Sequence, residues 1–306
     1  MARLLDDQYV TDLLTGRFCD LLRYIQRDPS LDLQIRENYI NIYYRGGNII
    51  KIEKKNSEYI HSFDENYFQE NKSESRNELI GLSKNKDWDF FFPQAKQVMD
   101  KYLGPNRKEE REFQQLVVRD NNYSSIANGT DYFIIDIEYA RNRARFDMVA
   151  VEWLSEGPKK KFPDKYPPKL VIIEMKYGDK AIKGKSGLKD HEKYYIELIS
   201  NETHLCTFKE EMAALFEQKR KLGLIPCLAE TENSNTIYEF ADEVTLAFII
   251  ANHDPASTIL ADEIPSLERR DAKFIVSNFM GYGIYHQSVF GYTQFRQHFM
   301  RQIHEV

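Results

Sequence analysis

Cysteine is nearly absent: Cys19, Cys206 and Cys227 are the only three in 306 residues. Their wide spacing forms neither a disulfide framework nor a zinc-ligand pattern, so buried, reduced thiols are expected. Long apolar runs are missing as well. The longest lies near Leu246–Ala251, far short of the roughly 20 residues needed to span a bilayer, and no membrane association is expected. The amino terminus, Met1-Ala2-Arg3-Leu4-Leu5-Asp6-Asp7, has acids where a signal peptide needs an apolar core. A soluble, cytoplasmic protein is the expectation. Internal repeats and low-complexity tracts are lacking. An excess of positive charge is lacking too: the net charge is −6, which argues against a protein that coats nucleic acid by bulk charge alone.

What the chain does have is material for a core. Hydrophobic residues make up 42% and charged residues 29%, with 19 Phe and 19 Tyr, a balance that excludes general disorder. The length suits one large domain or two ordinary ones. The charge is also uneven. Residues 141–190 hold 13 Lys or Arg against 7 Asp or Glu, a net of +6, which leaves −12 for the rest. A basic island in an acidic chain directs attention there for an anionic ligand, although a solvated lysine-rich loop has the same charge.

Residues 1–27 carry apolar side chains at three- and four-residue spacings, among them Leu13, Leu14, Phe18 and Ile25, and read as a helix ended by Asp28-Pro29-Ser30. Alternating runs at 31–35 and 40–44, then Arg45-Gly46-Gly47-Asn48 leading into 49–53, read as strands with a hairpin at the glycine pair. Residues 69–87 are polar without a period and read as an exposed connection or an irregular helix. A helix from Phe90 to Leu103 is stopped by Gly104-Pro105-Asn106. Beyond that break the pattern predicts a helix over 107–119, strands at 132–140, 146–154 and 170–177, and helices at 188–200 and 207–222. A strand buried on both faces follows at 244–251, then a weaker strand at 272–280 and a helix at 292–304. This order implies an α/β fold, a mixed central sheet flanked by helices over 106–306, with an α+β accessory region over 1–105.

The segment with chemical content is Lys169-Leu-Val-Ile-Ile-Glu174-Met-Lys176-Tyr177-Gly178. A strand repeats its side-chain direction every two residues, so Glu174 and Lys176 share a face. Charges at the end of a buried strand are costly unless paired or bound to a metal; a simple ion pair at a strand end is the plainer reading. The strand before it opens with Arg145-Phe146-Asp147. If the two strands pair antiparallel, Asp147 falls beside Glu174 and Lys176. Two carboxylates and a lysine in one place suit a hard divalent cation, Mg2+ or Mn2+, that polarises a phosphoryl oxygen and activates water. Asp164 competes for the acid role but lies in the loop before the strand, whose run from Leu170 to Glu174 alone covers about 13 Å at strand rise.

Asp147 followed by Glu174-x-Lys176 on the next strand resembles the active-site motif of the PD-(D/E)xK nuclease superfamily, whose restriction-endonuclease-like core order also matches residues 107–260. Phe146 stands where that pattern has proline. The resemblance implies a metal-dependent nuclease, acting on DNA more than RNA, with Asp147 and Glu174 as metal ligands and Lys176 serving water and transition state. In Holliday-junction resolvases a helical acid completes the site, and the similar segment Glu109-Glu110-Arg111-Glu112-Phe113 selects Glu112 as catalytic and metal-binding. Helical geometry also allows Glu109. Glu138, expected opposite Asp147 across a hairpin, either joins the metal or pairs with Arg145.

Lys180, Lys183, Lys185 and Lys189 follow in a flexible stretch suited to backbone phosphates, or to plain solvation. His191-x-x-x-Tyr195 is the nearest analogue of the Gln-x-x-x-Tyr found on the matching helix of recombination-type exonucleases, which makes both residues candidate nucleic-acid contacts; a core histidine stacked on a tyrosine is the alternative. The rival functions are a degenerate nuclease fold that binds nucleic acid or protein without cutting, and an α/β interaction protein with structural charges. The oligomeric state stays open, a homodimer included.

Overall fold

The computed structural model describes residues 3–68, 71–141, 144–155, 165–225, 240–254, 256–277 and 281–304. The chain divides into two units, Met1–Gln115 with Glu217–Ala229, and Leu116–Phe216 with Glu230–Val306. The junction expected at residue 105 falls within the first.

The first unit begins with α1 (Asp7–Leu14) and α2 (Cys19–Arg27). The single helix expected over 1–27 is therefore broken. Gly16 and Phe18 turn their N–H groups back onto the Thr11 and Asp12 carbonyls, so the chain bends at Thr15-Gly16; a periodicity of apolar residues survives such a bend and does not report it. Strands β1 (Asp32–Arg36), β2 (Tyr39–Tyr44), β3 (Gly47–Lys55) and β4 (Glu58–Ser62) form an antiparallel meander. The β2–β3 turn uses Arg45 and Gly46, both at positive φ, and a Cβ on Gly46 would meet the backbone of Arg111 and Glu112. The polar stretch after it contains a regular helix, α3 (Lys72–Lys84), which buries Leu79 and Ile80 and is followed by α4 (Trp88–Leu103). Next comes α5 (Glu109–Val118).

The second unit holds a six-stranded mixed sheet, with β5 (Tyr132–Arg141), β6 (Ala144–Glu152), β7 (Lys169–Tyr177), β8 (Val244–Ala251), β9 (Lys273–Ser277) and β10 (Val289–Gly291) lying side by side in sequence order. Strands β5, β6 and β7 pair antiparallel, β7, β8 and β9 parallel, and β9 and β10 antiparallel. Helices α6 (Leu188–Ile199) and α7 (Glu202–Lys221) connect β7 to β8; α8 (Ile259–Glu263) and α9 (Tyr292–His304) follow. The class is thus mixed α/β with two sheets. Strand β7 is central, and Leu170, Val171, Ile172, Ile173 and Met175 are all buried. Each fully buried aliphatic side chain of this kind contributes about 1.5–3 kcal/mol. Helix α6 packs over β6, β7 and β8, and that packing builds the site.

Among the described residues no helix is long and apolar enough to cross a membrane. Cys19 is partly exposed and Cys206 exposed, against the expectation of buried thiols; their positions on helix faces turned from the core explain it. Cys227 and Asp164 lie outside the described residues.

Candidate active site

Strands β6 and β7 place the two acids. Their antiparallel register pairs Met148 with Ile173 and Val149 with Ile172, so Asp147 comes abreast of Glu174. The Met175 N–H donates to Asp147 Oδ2 at 2.8 Å, which ties the aspartate across to β7. Phe146, the residue before Asp147, is buried and stacks with Tyr139 at 5.9 Å, while Phe208 of α7 meets Tyr139 edge-on at 5.2 Å. This aromatic clamp holds the end of the β5–β6 hairpin and hence Asp147. On β5, Glu138 lies between the flanking pairs Ile137–Met148 and Tyr139–Phe146, abreast of Asp147, with φ at +50°.

Glu174 is 0% exposed and Lys176 3% exposed, in the middle of the sheet. Neither oxygen of Glu174 has an aligned hydrogen-bond donor, and His191 Nδ1 also lacks an aligned partner. The Nδ1 atom nonetheless sits only 2.7 Å from Glu174 Oε2; close approach without alignment leaves three buried polar atoms unsatisfied around one point. Burial, above all, pushes the Glu174 carboxyl well above the ordinary carboxylate range; the Asp147 charge pushes the same way, and Lys176 partly offsets it. A second acid beside a buried glutamate is costly unless a cation offsets its charge. Burial, then the Lys176 charge, holds His191 below the ordinary histidine range.

These features fit a divalent cation. Mg2+ takes one or two carboxylates and keeps several waters, and Asp147 with Glu174 provides that set. Among the described residues no group of three or more His, Cys, Asp or Glu side chains is arranged to hold a metal. Glu112, the expected third acid, lies in the first unit, where its Oε1 accepts from Arg45 Nε at 2.8 Å and Arg45 also bonds Asp100. Its charge is already matched there. Glu109 opens the same helix.

Lys180, Lys183, Lys185 and Lys189 are all exposed. They ride on a loop anchored by buried Ile182, whose carbonyl accepts from Leu188 N–H, and by Gly187, where a Cβ would strike Ile182 and Lys183. Tyr195 differs from its expected role as a nucleic-acid contact. It is buried, and its hydroxyl donates to the Val244 carbonyl at 2.7 Å, pinning α6 to the start of β8. Residues four apart share a helix face, and the face that carries His191 and Tyr195 is the one laid on the sheet. His191 also turns inward, and its ring neighbour is Tyr194 rather than Tyr195.

Several polar residues at structural posts were not singled out from the sequence. Glu192 of α6 is buried and accepts from the Glu268 and Arg269 N–H groups. Asn122 exchanges two hydrogen bonds with the Ile134 backbone on β5, and Asn121 bonds the backbone of Tyr282 and Ile284. Asp179 and His253 meet at 2.5 Å beyond the ends of parallel β7 and β8. The run Asp120-Asn121-Asn122 directly after an apolar helix was a readable signal; the Asp179–His253 meeting depends on the parallel register and had none.

Comparison with known proteins is silent: no protein-family model, no curated protein and no solved structure matches the chain.

Proposed function

We propose that this protein is a metal-dependent nuclease of the PD-(D/E)xK type, with a restriction-endonuclease-like core, hydrolysing phosphodiester bonds in DNA in the cytoplasm. The observation that carries the reading is the pair Asp147–Glu174, side by side at a buried strand pair, with Lys176 buried on the Glu174 face. An ion pair at a strand end needs one acid; a second acid against a fully buried glutamate is costly without a cation. Asp147 and Glu174 are the residues to hold Mg2+ or Mn2+, which, when bound, supplies a polarised phosphoryl oxygen and a more acidic water. The Lys176 ammonium stabilises charge that develops on the phosphoryl oxygens. The four exposed lysines of the 180–189 loop grip flanking phosphates. Glu112, matched by Arg45, is left out of this set.

A second reading, a nuclease fold that binds nucleic acid without cutting, is favoured by the pairing of Glu112, the expected third acid, with Arg45. One experiment separates the two. Labelled single- and double-stranded DNA and RNA are incubated with the protein and Mg2+ or Mn2+, with Glu174→Gln as control. Metal-dependent cleavage lost in Glu174→Gln supports the nuclease; tight, uncleaved complexes with both proteins support the binder.

A further inference from the structure

His191 was expected at the nucleic acid, yet it stands between the two charges of the site. Its Nδ1 is 2.7 Å from Glu174 Oε2, and its Nε2 is 3.1 Å from Lys176 Nζ. The ring belongs to α6, whose neighbouring Leu188, Glu192, Tyr195 and Leu198 are all buried, so the helix cannot rotate to carry the imidazole elsewhere. An ammonium has three donors and no acceptor. Nε2 can therefore meet Lys176 only as an acceptor, which leaves the ring proton on Nδ1; Glu174 Oε2 is close to that atom but out of line with its N–H.

We propose that His191 is a positioning residue, an Nδ1–H imidazole that accepts from Lys176 through Nε2 and so fixes where the ammonium stands beside Glu174. This rests on the nuclease reading for its role in turnover. Lysine is a point charge on a flexible four-carbon stem, and a fixed acceptor at its tip restricts where the ammonium stands. The Glu174 carboxyl packs against the same ring, with Oε2 2.7 Å from Nδ1. This is the relation by which partners behind a metal's ligands set ligand orientation, and their loss typically costs about 10–100-fold in metal affinity or activity. The arrangement also argues against His191 as a metal ligand: coordination through Nδ1 would put a proton on Nε2, donor against donor with Lys176. The Ser186 backbone carbonyl lies within reach of the ring as a competing acceptor; the rival arrangement is an Nε2–H ring that gives Lys176 no acceptor.

Nitrogen-15 spectra of the metal-free, full-length protein at neutral pH read the tautomer directly and need no variant. The expected result is the Nδ1–H form for His191, with Lys176→Met releasing the ring toward Nε2–H. An Nε2–H ring in the wild type overturns the proposal. In cleavage assays with saturating Mn2+, His191→Leu is expected to lower kcat on the order of 10–100-fold with KM for the nucleic acid unchanged. His191→Gln, which places an acceptor near the Nε2 position, recovers much of that loss, and His191→Leu adds little in a Lys176→Met background. A raised KM with kcat intact makes His191 a nucleic-acid contact and overturns the bridge. If the wild type cuts nothing while the ring is Nδ1–H and answers to Lys176→Met, the nuclease reading fails and the bridge stands.

Discussion

Replacing Asp147 in two ways separates its structural task from its proposed chemical one. Asp147→Asn keeps an oxygen for the Met175 N–H and removes the charge beside Glu174; Asp147→Ala removes both. The bond it makes is 2.8 Å long, on a strand whose Met175 is buried. A buried backbone N–H left without a partner costs about 1–3 kcal/mol. Both variants relieve the repulsion on Glu174, so the difference between them isolates that bond. For a unit of this size 1 kcal/mol moves the midpoint by about 2–4 °C. Metal-free Asp147→Ala should therefore melt about 2–12 °C below Asp147→Asn in scanning calorimetry. Mn2+ at a hundred times its dissociation constant adds about 2.7 kcal/mol to a protein that binds it, or about 5–11 °C here. The wild type should show this gain, and both variants should lose it. A full Mn2+ shift in Asp147→Asn would refute the metal role, and equal metal-free midpoints would refute the tie to Met175.

Lys176→Met keeps the stem and removes the charge; its Mn2+ shift should persist while cleavage falls on the order of 10²–10³-fold, and a wild-type rate would remove Lys176 from the mechanism. Changing Lys180, Lys183, Lys185 and Lys189 to glutamine should flatten the salt dependence of nucleic-acid binding, each lost phosphate contact lowering the log–log slope by about 0.7–0.9; an unchanged slope makes the loop a bystander. In the first unit, burial, then the charges of Lys84 and Arg17, hold His61 down at about 4. A histidine depressed in the fold takes up its proton on unfolding, so its contribution is whole above pH 6.5 and is lost as pH falls from there to about 4. After allowance for solvent screening this amounts to about 1–2 kcal/mol. Denaturant unfolding of wild type and His61→Gln over that range should show a shallower acid loss in the variant, and parallel curves would contradict it.

The chain's own pattern determined the pieces that are local. Period-two alternation put Glu174 and Lys176 on one face of β7, and the continuous apolar run from Val244 marked β8 as a strand covered on both sides. The short connection between β5 and β6 and their β-branched runs placed Asp147 close to the right register, and the nearby acid followed from it. These features depend on residues a few positions apart, where backbone geometry leaves little choice. Tertiary structure decided the rest. Whether a helix turns His191 toward solvent or between Glu174 and Lys176 depends on how α6 lies across three strands, and the same packing sends the Tyr195 hydroxyl to Val244. Glu112 meets Arg45, 67 positions away, and Asp179 meets His253 only because β7 and β8 run parallel in one register. Such partners are chosen by the surfaces that fit best once the apolar faces are buried, and spacing along the chain carries no record of that choice.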